Sequence, residues 1–396
     1  MKIAVIAPTS LPARRANTIQ VMKMTQALCS IEHEARLAVP GSTYQKAGAA
    51  EWGELARHYG LSKQFSIEWL PANDRFRRYD FSYRALRWAR GWGAEVVYTR
   101  LPQAAALASR LGMPAVLEMH DLPGGRLGPL TFDLFLRSRG VLRLVVISKA
   151  LLSDLSKKYP MSARPGFSIV APDGVDLDRY KDLLDPEAAR HALIERLGSP
   201  ELPGFFSPGS FTAGYMGHFY PGRGAEVLFE LAACAPDIAF LVAGGEPEDL
   251  PRLNTQAKQS GLHNIILTGF VPNAELPLYQ AACDVLLMPY QRRIAASSGG
   301  DISRYLSPMK LFEYMASRRA ILSSDLSVLR EVISEVNAIL LPPDDPNAWL
   351  AALRSLRDHP EVRTKLAEHA WQDVQKYSWE ARAEAILAGL EANGAA

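Results

Sequence analysis

Two short stretches of this chain hold residue types and spacings suited to chemistry on a phosphate. In SPMKLFEYMA, Ser307 to Ala316, a serine fit for a cap precedes a proline fit for the first helical position, and together they predict a helix start. Such a start leaves backbone N–H groups unbonded at the positive end of the helix dipole, an arrangement that favours phosphate. Ser307, Pro308, Met309 and Lys310 are then candidate phosphate contacts, and Glu313, in the second turn, could accept two hydrogen bonds from a ribose diol. An ordinary capped helix with an exposed glutamate would read the same way. In YMGHFYPGRG, Tyr215 to Gly224, Gly217, Gly222 and Gly224 permit a tight turn and a close backbone approach. Arg223 could neutralise a diphosphate there, and His218 would add a pH-dependent charge. A glycine-rich strand-to-helix turn is a weak signal by itself.

Other candidates stand in the first half. VLEMHDLP puts His120 and Asp121 at the end of an apolar run, although a lone histidine is more often structural. In PARRANTIQVMKM, Arg14, Arg15 and Asn17 line a loop that could receive an anionic acceptor such as a lipid phosphate, against the default of a solvated loop. RFRRYDFSYRALRWARGW, Arg75 to Trp92, is a basic and aromatic cluster that could rest on an anionic membrane surface. RNA binding or a plain amphipathic helix would look similar.

Chemistry of this kind needs rigid elements behind it, and the apolar periodicity supplies them. Short β-rich runs alternate with helical patterns at Lys2 to Pro8, Glu34 to Pro40, Glu95 to Arg100, Ala115 to His120 and Leu144 to Lys149. A Pro/Gly/Ser-rich stretch from Leu197 to Phe211 interrupts the alternation and reads as a linker. The pattern restarts at Thr212 to Gly217, Ile238 to Gly245, Asn264 to Val271, Val285 to Tyr290 and Arg319 to Ser324, and Trp349 to Leu390 reads as helical. Two doubly wound α/β domains follow, because 396 residues exceed the roughly 250–300 that one core serves. In such sheets ligands gather at the carboxyl ends of the strands, so a cleft shared by the two domains is expected.

Bulk properties narrow the class. A net charge of +2 argues against a dedicated nucleic-acid binder. Cys29, Cys234 and Cys283, widely spaced in apolar surroundings, suit reduced thiols and a cytoplasmic setting. MKIAVIAP is too short for a secretory signal, and no run approaches the ~18 apolar residues that cross a bilayer.

Taken with their order along the chain, these segments resemble glycosyltransferase family 4, enzymes of GT-B fold, over nearly the whole length and most strongly from Thr212 to Pro343. In that family two glutamates flank seven residues; Glu313 matches the second, which holds the nucleotide ribose, whereas Tyr305 stands at the first. The Tyr215 to Gly224 segment is similar to the family's G-R-x4-K-G, with Arg223 at the lysine and His218 at the arginine. AGGEPED and LTGFVPNAEL resemble the two base-side loops, which assigns Gly244 and Gly245 to the nucleotide and the backbone of Phe270 and Val271 to the base edge. ACDVLLMPY resembles the strand before the donor-sugar loop, and His120 matches a histidine that contacts the donor sugar. VVISKALLSDL resembles a strand-serine-helix element with Ser148 as cap, and APDGVDLDRY a turn in which Asp173 replaces asparagine. Asp176 and Asp178 spell the D-x-D that chelates metal in other glycosyltransferases, but here it belongs to that turn.

The resemblance implies an acceptor domain over 1–180 completed by a C-terminal helix of about 377–396, a linker region at 181–211, and a donor domain over 212–376. It implies transfer of a hexose from a UDP- or GDP-sugar to a hydroxyl acceptor, anionic or lipid-linked, with retention, without metal or other cofactor, in cell-surface polysaccharide or glycolipid synthesis at the cytoplasmic membrane face. His120, Arg223 and His218 would be the catalytic groups. A nucleotide-sugar epimerase of the same fold and a non-catalytic binding subunit are the alternatives.

Overall fold

The computed structural model describes residues 1–41, 52–76, 78–199, 202–207, 209–296 and 299–390. Arg77, Pro200, Glu201, Pro208, Ser297, Ser298 and residues 391–396, which fall within segments read above, lie outside the described residues. The chain divides into two units: one of Met1–Gly174, Tyr305–Ser307 and the chain from Trp379 onward, the other of Val175–Arg304 and Pro308–Ser378.

In the first unit, β1 (Lys2–Ile6), β2 (Glu34–Pro40), β3 (Ser66–Leu70), β4 (Val96–Thr99), β5 (Ala115–Met119), β6 (Val141–Val146) and β7 (Ser168–Val170) form a sheet of order β3-β2-β1-β4-β5-β6-β7. Every pairing described is parallel. The order reverses between β1 and β4, the doubly wound pattern. The second unit repeats it with β8 (Phe211–Met216), β9 (Ile238–Ala243), β10 (Ile265–Gly269), β11 (Val285–Met288), β12 (Ala320–Ser324) and β13 (Ile339–Leu341), in the order β10-β9-β8-β11-β12-β13. Central strands such as IAFLVA in β9 are buried at every residue, because helices cover both faces of a parallel sheet. β3, β7 and β13 escape the sequence pattern: they are edge strands, short or only half-buried, and carry little apolar signal.

The described residues of 181–211, expected as a linker, fold with the second unit. Pro186 opens a helix over Pro186–Leu197, Asp185 caps it by accepting from the Ala188 N–H at 2.9 Å, and Gly198 closes it at φ 59°. Arg190 then reaches inward to the Ala282 and Ser210 carbonyls and the Asp284 carboxylate. Of the residues read as breakers, Gly198 ends this packed helix. The junction falls after Gly174 rather than near 180, and the last helix, Trp379–Leu387, belongs to the first unit.

Candidate functional site

In the second unit the switch point lies between β8 and β11, and the chain leaving each strand carries the groups of interest. The ladder continues past the strand ends: the Gly217 N–H donates to Ala243 and the Gly244 N–H to Gly269, at 2.9 and 2.7 Å. These bonds set Gly217, Gly244 with Gly245, and the Phe270–Val271 turn side by side at the carboxyl edge. Gly244 adopts φ 121°, and a Cβ there would stand 2.2 Å from the Gly217 carbonyl oxygen, so only glycine closes this seam. Gly224, at φ 94°, lies as closely against Pro289, and this contact pins the Arg223 loop beside the residue pair that follows β11.

Arg223 donates to the Tyr290 hydroxyl at 3.1 Å, with its guanidinium carbon 5.2 Å from the ring centroid. The Lys310 ammonium comes against the same ring at 4.7 Å and against Tyr215 at 4.0 Å. Both rings are buried. The Lys310 Nζ and the Arg223 Nε are sealed from solvent without a hydrogen-bond partner among the described residues. His218 is engaged elsewhere, stacked on Tyr220 at 5.0 Å and with Nδ1 3.6 Å from the Glu246 carboxylate. The basic groups at this edge are therefore Arg223 and Lys310. A cavity of about 610 Å³ opens on another side of the loop, lined by Gly222, Gln291 and Arg292 among others, but Arg292 is already paired with Asp344 at 2.9 Å.

The helix that brings Lys310 spans Met309–Ala316. Its cap position is Pro308, with ψ 118°, and no side chain caps it. This corrects the expectation for Ser307: its hydroxyl accepts from the Asp173 N–H at 2.9 Å, and the helix begins one residue later than expected. Glu313 is buried, not exposed, and accepts from Asn273 Nδ2 at 3.0 Å. Asn273 is held in turn by Arg179, whose Nη1 donates to Asn273 Oδ1 at 2.7 Å. Tyr305 is core: it packs in the first unit and donates to Asp154 at 2.9 Å. The D-x-D carboxylates are divided, Asp176 buried near Arg179 at 3.8 Å and Asp178 exposed on Lys181.

In the first unit, Glu118 lies on β5 and His120 directly follows the strand, two residues on, so that their side chains meet. Glu118 is fully buried, accepts from Gln20 at 2.6 Å, from the Tyr98 hydroxyl and from His120 Nε2, and forms an ion pair with Arg382 at 3.1 Å. Burial alone would raise this carboxyl, but the Arg382 charge and the His120 bond hold it well below the usual carboxylate range. Burial, with the Arg100 charge, draws His120 down to about 4 against the pull of Glu118. Arg382 also donates to the Ala171 and Pro172 carbonyls, and so locks the last helix to this network. Asp173 lies alongside with Oδ1 buried and unpartnered among the described residues, and burial pushes its carboxyl up to about 7. Arg15 precedes the Ala16–Ser30 helix and is exposed, as is Asn17, while Arg14 is half-buried. Ser148 caps the Lys149–Lys158 helix by accepting from the Leu151 N–H. The sequence reading missed Tyr215, Tyr290, Asn273, Glu118 and Arg382; of these only Glu118 carried a usable signal, its place two residues before a candidate histidine on a strand.

Comparisons with known proteins fit this geometry. Residues 210–359 match the family model described as glycosyl transferases group 1. The phosphatidyl-myo-inositol mannosyltransferase of Mycolicibacterium smegmatis is 25% identical, over 96% of this chain and 90% of that protein. The alpha-D-kanosaminyltransferase of Streptomyces kanamyceticus is 24% identical over 85% of each. Among solved structures, Anabaena HepE in complex with UDP-glucose superposes with a TM-score of 0.71 at 16% identity, over 99% of this chain and 100% of that one. The match over residues 210–359 and the likeness to these relatives support a glycosyltransferase, and the superposition shows the GT-B fold.

Proposed function

We propose that the chain transfers a hexose from a UDP- or GDP-sugar to a hydroxyl of a lipid-linked or anionic acceptor, in glycolipid or surface polysaccharide synthesis, with retention and without metal, as in glycosyltransferase family 4. The observation that carries this reading is the pair of basic groups, Arg223 and Lys310, at the switch point of the second unit. A nucleotide diphosphate is the ligand whose charge suits two cations there, and its ribose would reach Glu313, held ready by Asn273. UDP-glucose bound to HepE and the inositol-lipid mannosyltransferase name support the donor and acceptor classes.

Charge grows on the distal phosphate as the glycosidic bond breaks, so fixed cations favour the transition state over the bound ground state. No nucleophilic side chain is assigned; the acceptor hydroxyl attacks from the face of the departing phosphate, which takes its proton. His120, with Nε2 committed to Glu118, presents Nδ1 as an acceptor for a sugar hydroxyl. The test is product stereochemistry by NMR together with turnover in excess EDTA: an inverted product, or a complete loss that magnesium or manganese restores, contradicts the reading.

Tyr79, Tyr83, Arg84, Arg87 and Arg90 are exposed on the Tyr79–Trp92 helix, whose opposite side buries Phe81, Ala85 and Leu86. No helix among the described residues is long and apolar enough to cross a membrane. This exposed face is the proposed contact with an anionic bilayer, and equal sedimentation with anionic and neutral vesicles would refute it.

A further inference from the structure

Two half-buried basic groups that share one ring without an ion-pair partner form an unusual resting state. Lys310 and Arg223 share the Tyr290 ring, and neither forms an ion pair among the described residues. An aromatic face returns up to ~2 kcal/mol to a desolvated cation, which is small against the cost of burying an ammonium with no acceptor. The groups that bear on Lys310 are the Arg223 guanidinium, the Glu313 carboxylate and the phenols of Tyr215 and Tyr290. Glu313 is shared with Asn273, and burial holds both phenols above their ordinary range, so neither becomes an anionic partner at neutral pH. At Gly217 a Cβ would stand 3.2 Å from the Lys310 Nζ, so the absence of a side chain leaves that approach open.

We propose that Lys310 completes a two-cation clamp with Arg223 and takes up a proton from solvent as a nucleotide diphosphate enters. This rests on the donor reading above and deepens it. Burial, and next the Arg223 charge, pull the Lys310 ammonium well below its usual range, with Glu313 opposing. The entering diphosphate reverses that balance: it supplies acceptors to Nζ and negative charge to both cations. Only an N–H bond forms at Nζ, and no other covalent bond changes.

Calorimetric titration with UDP and with GDP, in two buffers of different ionisation enthalpy, counts the protons exchanged. At mildly alkaline pH the terminal phosphate of the free nucleotide, with a pKa of about 6, is already ionised and contributes none. Wild-type protein is expected to take up as much as one proton per nucleotide bound. Lys310→Met is expected to show no uptake and binding weaker by about 10-fold to 100-fold, the loss of one hydrogen bond to a charged group, while its free form melts no lower than wild type. Zero uptake by the wild type overturns the proposal, as does equal uptake or equal affinity in the variant. Should the variant fold poorly, the wild-type proton count still decides. If neither nucleotide binds the wild type, the donor reading falls and this inference with it.

Discussion

Each unit of this chain buries a cluster of charge, and the two clusters are built on opposite principles. Around Glu118 the charges balance: one carboxylate receives Arg382, Gln20, Tyr98 and His120, and Arg382 meets backbone carbonyls with its remaining donors. Around Tyr290 they do not: Lys310 and Arg223 are both basic groups, with nitrogen atoms left unsatisfied. A balanced buried network fixes geometry, here the last helix and the histidine ring. An unbalanced one holds a place for a ligand of opposite charge.

Removing one cation from each cluster should therefore have opposite effects on the free protein. Arg382→Ala leaves Glu118 buried and uncompensated and is expected to cost about 3–5 kcal/mol of stability, read from urea denaturation. Lys310→Met removes a polar group that lacks a partner and should leave stability unchanged or raised. If both variants lose stability alike, the contrast between the clusters is wrong.

Next in size is Arg223→Ala, expected to lower kcat by about 10²-fold to 10³-fold and to raise KM less, because the lost charge acts on the developing phosphate anion. Lysine at 223 should rescue much of the loss, since a point charge serves phosphate. Wild-type turnover of the alanine variant would remove the leaving-group role. Glu313→Gln is expected to weaken nucleoside diphosphate binding by about 1–3 kcal/mol, through the poorer acceptor it offers to ribose hydroxyls.

The smallest effect concerns pH. His120 titrates at about 4 when folded and at 6.5 ordinarily, so its contribution to stability is complete above 6.5 and is lost as pH falls toward 4. Asp173, raised to about 7, acts with the opposite sign, its contribution fading as pH rises through the same window. Comparison with His120→Gln isolates the histidine. Between pH 7 and 5 the wild type should lose about 1–2 kcal/mol relative to that variant, after discounting for the partial exposure of the ring. Parallel pH profiles for the two proteins would contradict it.

What the sequence revealed follows a physical line. Central strands such as β8 and β9 are legible because burial on both faces writes continuous apolar runs, whereas β3, β7 and β13 sit at edges and write little. The linker reading of 181–211 went astray because Pro and Gly mark helix ends as readily as loops, and Arg190 shows its anchoring role only once Asp284 and Ala282 are near it in space. Within the site, the Gly222–Gly224 loop and the Met309–Ala316 helix were visible as local patterns, apart from the cap, which shifted when Ser307 turned to Asp173. The partners that give the site its character, Tyr290 for Arg223, Asn273 for Glu313 and Arg382 for Glu118, lie between 40 and 264 residues away in sequence. Tertiary contact alone brings them together.

The central claim is that the cationic edge of the second unit receives a nucleotide diphosphate. Calorimetric titration of UDP and GDP into wild type and Arg223→Ala tests it most directly. The account expects one nucleotide to bind the wild type at one site, with affinity in the variant reduced by about 10-fold or more, the cost of losing a charge-assisted contact, and the melting temperature of the unliganded protein unchanged. Equal affinity in the two proteins, or no binding of either nucleotide to the wild type, would contradict it.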